Sequence, residues 1–180
     1  MKIWKRLDTK VVHENKFWSY ILDHYSIGEN VKGEYHYVHT PGSTLIIPMV
    51  SRDTFIMIKQ YRYLNQNFSI EFPCGGVVPG LPRDENARKE LREETGYNPK
   101  NLNKIGEFSP FTGAADEMCT VFFGSDLEKD PLPADVTEEF EILALTRTQI
   151  QELIATNVIW DGLTLAAWSL FLPTLEAMVD

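Results

Sequence analysis

Cysteine is scarce in this chain, and the two present, Cys74 and Cys119, have a spacing that fits neither a metal-ligand set nor a disulfide framework. No span of about 18 or more apolar residues occurs, which excludes a transmembrane helix. The opening MKIWKRLDTK has no apolar centre, so no signal peptide is expected and the cytoplasm is the expected compartment. Basic charge is in deficit: the net charge of -9 argues against a general nucleic-acid binder, whose affinity comes from Lys and Arg neutralising phosphates. The four histidines, His13, His24, His36 and His39, are scattered without ligand spacing. Repeats, low-complexity tracts and Gly/Ser-rich linkers are missing too, and 180 residues with 43% hydrophobic content suffice for one body with a sizeable core.

What is present is a dense run of chemistry between Glu71 and Tyr97, EFPCGGVVPGLPRDENARKELREETGY. Residues 84 to 95 contain no Gly or Pro, Ala87 and Leu91 fall four apart, and Gly96 supplies a stop, so the segment is expected to be a helix. On a helix, Glu90, Glu93 and Glu94 share neighbouring parts of one surface, with Glu90 and Glu94 one turn apart. Hard cations such as Mg²⁺ take oxygen ligands and bind through a few carboxylates plus substrate phosphates, so the cluster suits a phosphate-bearing substrate. For three glutamates alone, a solvated acidic face explains the pattern equally well.

The remaining chain reads as a mixed α/β body. Residues 17 to 26 and 33 to 39 are rich in aromatic and β-branched side chains around Gly28 and Gly33, which predicts a hairpin. Buried strands are expected at 44 to 50 and 55 to 63, further strands at 104 to 108, 118 to 123 and 139 to 145, and closing helices at 147 to 155 and 161 to 171, the second limited by Pro173. The expected organisation is an N-terminal β extension over 1 to 40 and a main body over 41 to 180.

The segment that begins at Gly75 resembles the Nudix box: a glycine, five residues, Glu, seven residues, then Arg-Glu-aliphatic-any-Glu-Glu-any-Gly-aliphatic. Gly75, Glu90, Leu91, Glu93, Glu94 and Gly96 fall on motif positions without a gap, and Tyr97 is an aromatic variant of the last one. Two positions depart, Leu81 standing where the family has its first Glu and Lys89 where it has Arg. HTPGSTLIIPMV, KQYRY, EFPCGG, the loop SPFTGAADE and the run Ile159 to Thr164 resemble corresponding segments of ADP-ribose and other nucleoside-diphosphate-sugar pyrophosphatases.

That resemblance implies an α/β/α sandwich with a mixed sheet, and metal-dependent hydrolysis of a diphosphate linkage, with Mg²⁺ as cofactor and Mn²⁺ as substitute. It implies Glu90, Glu93, Glu94 and the Cys74 backbone carbonyl as metal ligands, with Glu93 and the loop acid Glu117 as catalytic groups. Arg62, charged among apolar strand neighbours, either pairs with Glu71 or reaches a substrate phosphate. The aromatics Phe17, Trp18, Tyr20, Tyr25, Tyr35 and Tyr37 suit a base-stacking surface, a core or a dimer interface, and relatives of this kind imply a homodimer. Alternatives are another Nudix substrate (GDP-mannose, a dinucleoside polyphosphate, capped RNA) or a nucleotide-sugar-binding module without turnover.

The departures have chemical weight. Lys is a mobile point charge without the planar fork of Arg, and loss of an acid beside a metal site typically costs roughly 10- to 100-fold. Restoring Leu81→Glu and Lys89→Arg should therefore strengthen Mg²⁺ binding or raise turnover in steady-state assays; a fall in both would show a site re-tuned around its own residues.

Overall fold

The computed structural model describes residues 1–134 and 139–178. The chain divides into two compact units, Met1–Gly42 with Ser109–Met118, and Ser43–Phe108 with Cys119–Asp180.

The first unit is an antiparallel sheet of β1 (Trp4–Glu14), β2 (Ser19–Ile27) and β3 (Val31–His39) in that order. Strands β2 and β3 are the expected hairpin, turning at Gly28 with φ +64°. Strand β1 was not expected, and the reason is physical: all 11 of its residues are exposed, so no buried face imposes an alternation that a reader could detect. The loop 109–118 is bonded to this sheet, the Val38 amide donating to the Ala114 carbonyl (2.9 Å) and the Asp116 amide to that of Val38 (3.1 Å).

The second unit holds β4 (Ser43–Ser51), β5 (Thr54–Arg62), β6 (Asn67–Glu71), β7 (Cys74–Gly76), α1 (Arg83–Thr95), β8 (Tyr97–Phe108), β9 (Cys119–Lys129), β10 (Glu141–Thr146), α2 (Arg147–Ala155) and α3 (Gly162–Ala177). The seven strands form one sheet, β10-β5-β4-β9-β8, with β6 on β5 and β7 on β4. The β4–β9 pair is parallel and the others antiparallel, which makes the sheet mixed. Alternation along β4 and β9 divides their side chains between two cores. Ile46 and Phe122 pack with Ala87 and Leu91 of α1. Leu45, Ile47, Val121 and Phe123 pack with Ile150 of α2 and with Ala167, Trp168 and Phe171 of α3. Helices thus cover both faces, the expected sandwich.

Two expectations are corrected. Pro173 lies inside α3 instead of limiting it. Proline removes one amide and crowds the carbonyl four residues back, but that carbonyl belongs to exposed Ser169, while buried Phe171 and Leu175 hold the helix on either side of Pro173. Strand β8 begins at Tyr97 and not near 104, because as the sheet edge it tolerates Pro99 and a polar run that reads as loop. The glycine-rich segment after Pro73 is a three-residue strand, Gly75 pairing with Thr44.

Helix α1 has no side-chain N-cap; Asp84 and Glu85 in its first turn face the positive end of the helix dipole. Gly96 ends it in the left-handed region at φ 75°, as expected, its amide donating to the Arg92 carbonyl. Among the described residues no helix is long and apolar enough to cross a membrane. Leu91 is fully buried where α1 meets the sheet, so Leu91→Ala should destabilise the protein by about 2–5 kcal/mol in denaturant unfolding.

Candidate active site

Strand β7 enters α1 through residues 77–82, and one side chain fixes that entry. Asn86, fully buried, donates from Nδ2 to Thr44 Oγ1 (2.9 Å) and to the Gly76 carbonyl (3.2 Å), and accepts from the Val78 amide at Oδ1 (3.0 Å). It locks the glycine strand against the helix. Sequence reasoning missed it, since an Asn within a helix carries no signal of its partners.

The lock brings Glu90 onto Gly75. A Cβ placed on Gly75 would stand 2.2 Å from one carboxylate oxygen of Glu90 and 2.8 Å from the other. Gly75 is outside the left-handed region, so the glycine is needed for space and not for backbone freedom. Glu94, one turn on, is 7% exposed, with Oε2 shielded from solvent. Glu93 is held by Lys89, whose Nζ lies 2.5 Å from Glu93 Oε2 and 3.5 Å from Glu90 Oε1. Burial pulls the Lys89 pKa down, but the hydrogen bond to Glu93 and the charge of Glu90 outweigh it, and the net shift is upward. The three glutamates are therefore together on one face of α1, as their spacing predicts.

Glu71 and Arg62 form a second charged group. Glu71 is 2% exposed and receives a forked hydrogen bond from Arg62, Nε to Oε1 at 2.8 Å and Nη2 to Oε2, with Gln60 Nε2 donating to Oε2 at 3.4 Å. The pair resolves how the charge on Arg62 is matched, and the Arg62 side chain keeps 40% of its surface open. The hydrogen bond to Glu71 holds the guanidinium pKa above its usual value. Asp161, which the sequence reading did not treat as a site residue, caps α3 by accepting the Thr164 amide at 2.7 Å. Burial raises its pKa, and the charge of Glu71 adds to the effect. The Cys74 thiol is pushed well up, first by its hydrogen bond with Cys119 and then by burial, with the charges of Glu94 and Asp161 contributing. A thiol so disfavoured as thiolate is a packing group. Glu117 lies in the first unit, on the loop 109–118, where the neighbouring Asp116 bonds His39 Nδ1 at 2.8 Å.

The NUDIX domain family matches residues 39–167. The chain belongs to the Nudix family. An ADP-ribose pyrophosphatase of Bacillus subtilis (strain 168) is 30% identical over 129 residues, 71% of this chain and 70% of that protein. A GDP-mannose pyrophosphatase of Escherichia coli O1:K1 / APEC is 30% identical over 131 residues, 68% of this chain and 69% of its own. The crystal structure of an ADP compounds hydrolase superposes with a TM-score of 0.84 at 18% identity, covering 97% of this chain and 95% of that one, and establishes the shared fold.

For a Nudix member the box is unusual at Leu81 and Lys89, and the structure shows how one ammonium reaches two of the glutamates. A divalent metal is typical of the family, and the donors here are of the right kind: hard carboxylate oxygens, one seated in a space that only glycine leaves open. Among the described residues no three His, Cys, Asp or Glu side chains are already closed on one point. Such an open arrangement is compatible with Mg²⁺, which keeps several waters and shares substrate phosphate oxygens. Because the clash at Gly75 is with the flexible end of Glu90, Gly75→Ala should leave the thermal midpoint nearly unchanged while Mg²⁺ affinity, read by calorimetry, falls at least ~10-fold. Unaltered affinity would show that the close approach is incidental.

Proposed function

We propose that this Nudix protein hydrolyses the diphosphate linkage of ADP-ribose or another nucleoside-diphosphate sugar, giving a nucleoside monophosphate and a sugar phosphate. The observation that carries the reading is the seating of Glu90 against Gly75 beside half-buried Glu93 and buried Glu94. The names of the two curated relatives support the substrate class, and GDP-mannose is the second reading because one of them bears that name.

Glu90, Glu94 and Glu93, with the Cys74 carbonyl, would hold Mg²⁺ or Mn²⁺, which when bound neutralises diphosphate charge and makes water more acidic. Lys89 restrains Glu93 and limits repulsion with Glu90. Arg62, oriented by buried Glu71, turns its open side to a phosphate oxygen. Glu117 accepts the proton of the attacking water, whose oxygen forms the new bond to phosphorus as the bridging oxygen leaves on the other product. A homodimer fits the exposure of β1, an edge strand that carries Trp4, Leu7, Val11 and Val12 to solvent.

Incubated with ADP-ribose and Mg²⁺, the protein should give AMP and ribose 5-phosphate by phosphorus NMR, and chelation should stop the reaction. Glu94→Gln should cut turnover by at least ~10²-fold, whereas Glu117→Gln should slow turnover with metal affinity intact. If ADP-ribose, ADP-glucose, UDP-glucose and GDP-mannose all survive while a nucleoside triphosphate or capped RNA is cut, the substrate class is wrong.

A further inference from the structure

The turn from β5 to β6 and the segment between α2 and α3 meet where Trp160 Nε1 donates to the Phe68 carbonyl at 3.2 Å. Beside that bond lies a cavity of about 310 Å³ lined by Asn65, Asn67, Asn157 and Trp160. Its lining carries no formal charge. The carboxamides of Asn65 and Asn157 are exposed and offer both donor and acceptor, while Asn67 commits Oδ1 to the Phe68 amide (2.8 Å) and keeps its two Nδ2 protons. The indole has already placed its only polar group, so it presents apolar ring surface. Two of the three non-glycine residues with left-handed backbone among the described residues stand here, Gln66 at φ 49° and Asn157 at φ 57°. Asn visits that region readily and Gln rarely, and such conformations persist where the surrounding structure holds them, clustering at ligand sites.

Register sets the cavity beside Arg62. Asn67 is directly paired with Arg62 and, by alternation, projects from the same side of β6 as Glu71. Directly paired residues have Cβ atoms about 4.5–5.5 Å apart. On the other wall, Trp160 precedes Asp161, whose charge acts on Arg62. A phosphate on the open side of the guanidinium can thus place its substituent among the three carboxamides.

We propose that Asn65, Asn67, Asn157 and Trp160 form the subsite for the sugar ring carried by the phosphate at Arg62. The inference rests on the proposed function, which puts that phosphate there. A sugar matches the lining: its hydroxyls donate and accept as carboxamides do, and its C–H face lies on the indole. A charged group finds no counter-ion among the four residues. A nucleobase, whose faces call for apolar walls, meets one ring against three amides.

The test is binding to the full chain, so it needs no turnover. Ribose 5-phosphate should bind at least ~10-fold tighter than methyl phosphate, the scale of two or more net hydrogen bonds, and should move the Trp160 indole N–H signal in NMR, identified by its loss in Trp160→Phe. Asn65→Ala and Asn157→Gly should each weaken ribose 5-phosphate about 3- to 10-fold and leave methyl phosphate unaltered. Both side chains are exposed, and Gly keeps the left-handed backbone at position 157, so the thermal midpoint should hold. The subsite is overturned if the two phosphates bind alike, if both variants keep the difference, or if free adenine moves the indole signal while ribose 5-phosphate does not. Sugar phosphates bound here with every nucleoside-diphosphate sugar uncut would uphold the subsite and remove the proposed reaction; cleavage of ADP-ribose with KM unchanged in both variants would do the reverse.

Discussion

Carboxylates gathered in a half-buried space repel one another and resist desolvation, a cost of several kcal/mol per ion when uncompensated. The second unit is organised around that cost. Glu71, nearly without solvent, is matched by the forked hydrogen bond from Arg62. Glu93 and Glu90 share the ammonium of Lys89. The core on the far side of the sheet, from Leu45 to Phe171, is built of apolar side chains. It supplies the rigidity against which unfavourable charge can be held.

Lys89 and Gly75 show two kinds of constraint on the same motif. An ammonium can approach two carboxylates but cannot dictate their planes, so exchange of Arg for Lys keeps charge and gives up orientation. Steric room admits no such compromise. Any Cβ at Gly75 displaces Glu90, whatever the residue's polarity. Position 75 is thus read with more certainty than position 89, even though glycine carries no functional group.

Where the fold was readable in the sequence, burial had written a period into it. Strands β4 and β5 carry apolar runs because both their faces are covered, and α1 shows Ala87 and Leu91 because one face is. Strand β1 left no trace, since all of its side chains are exposed and their contacts to β2, such as Arg6 with Asp23 and Trp4 with Tyr25, depend on register and not on a local period. Edge strand β8 was half legible for the same reason. At the site, Glu90, Glu93 and Glu94 were readable because helical spacing is local, whereas Asn86 and Asp161 were not, their partners being set by tertiary packing.

The histidines carry this reasoning one step further. In linear order they have no ligand spacing, and a reader of spacing rightly finds none. Antiparallel pairing maps separation in sequence onto adjacency in space by a rule that depends on register, so position 24 faces positions 8 and 34 for reasons contained in no local window. A shift of one residue in either pairing would turn Asp8 or Glu34 to the other face of the sheet and break its contact with His24. Chemistry on a helix can be read from the chain that forms it; chemistry across a sheet becomes readable only once the register is known.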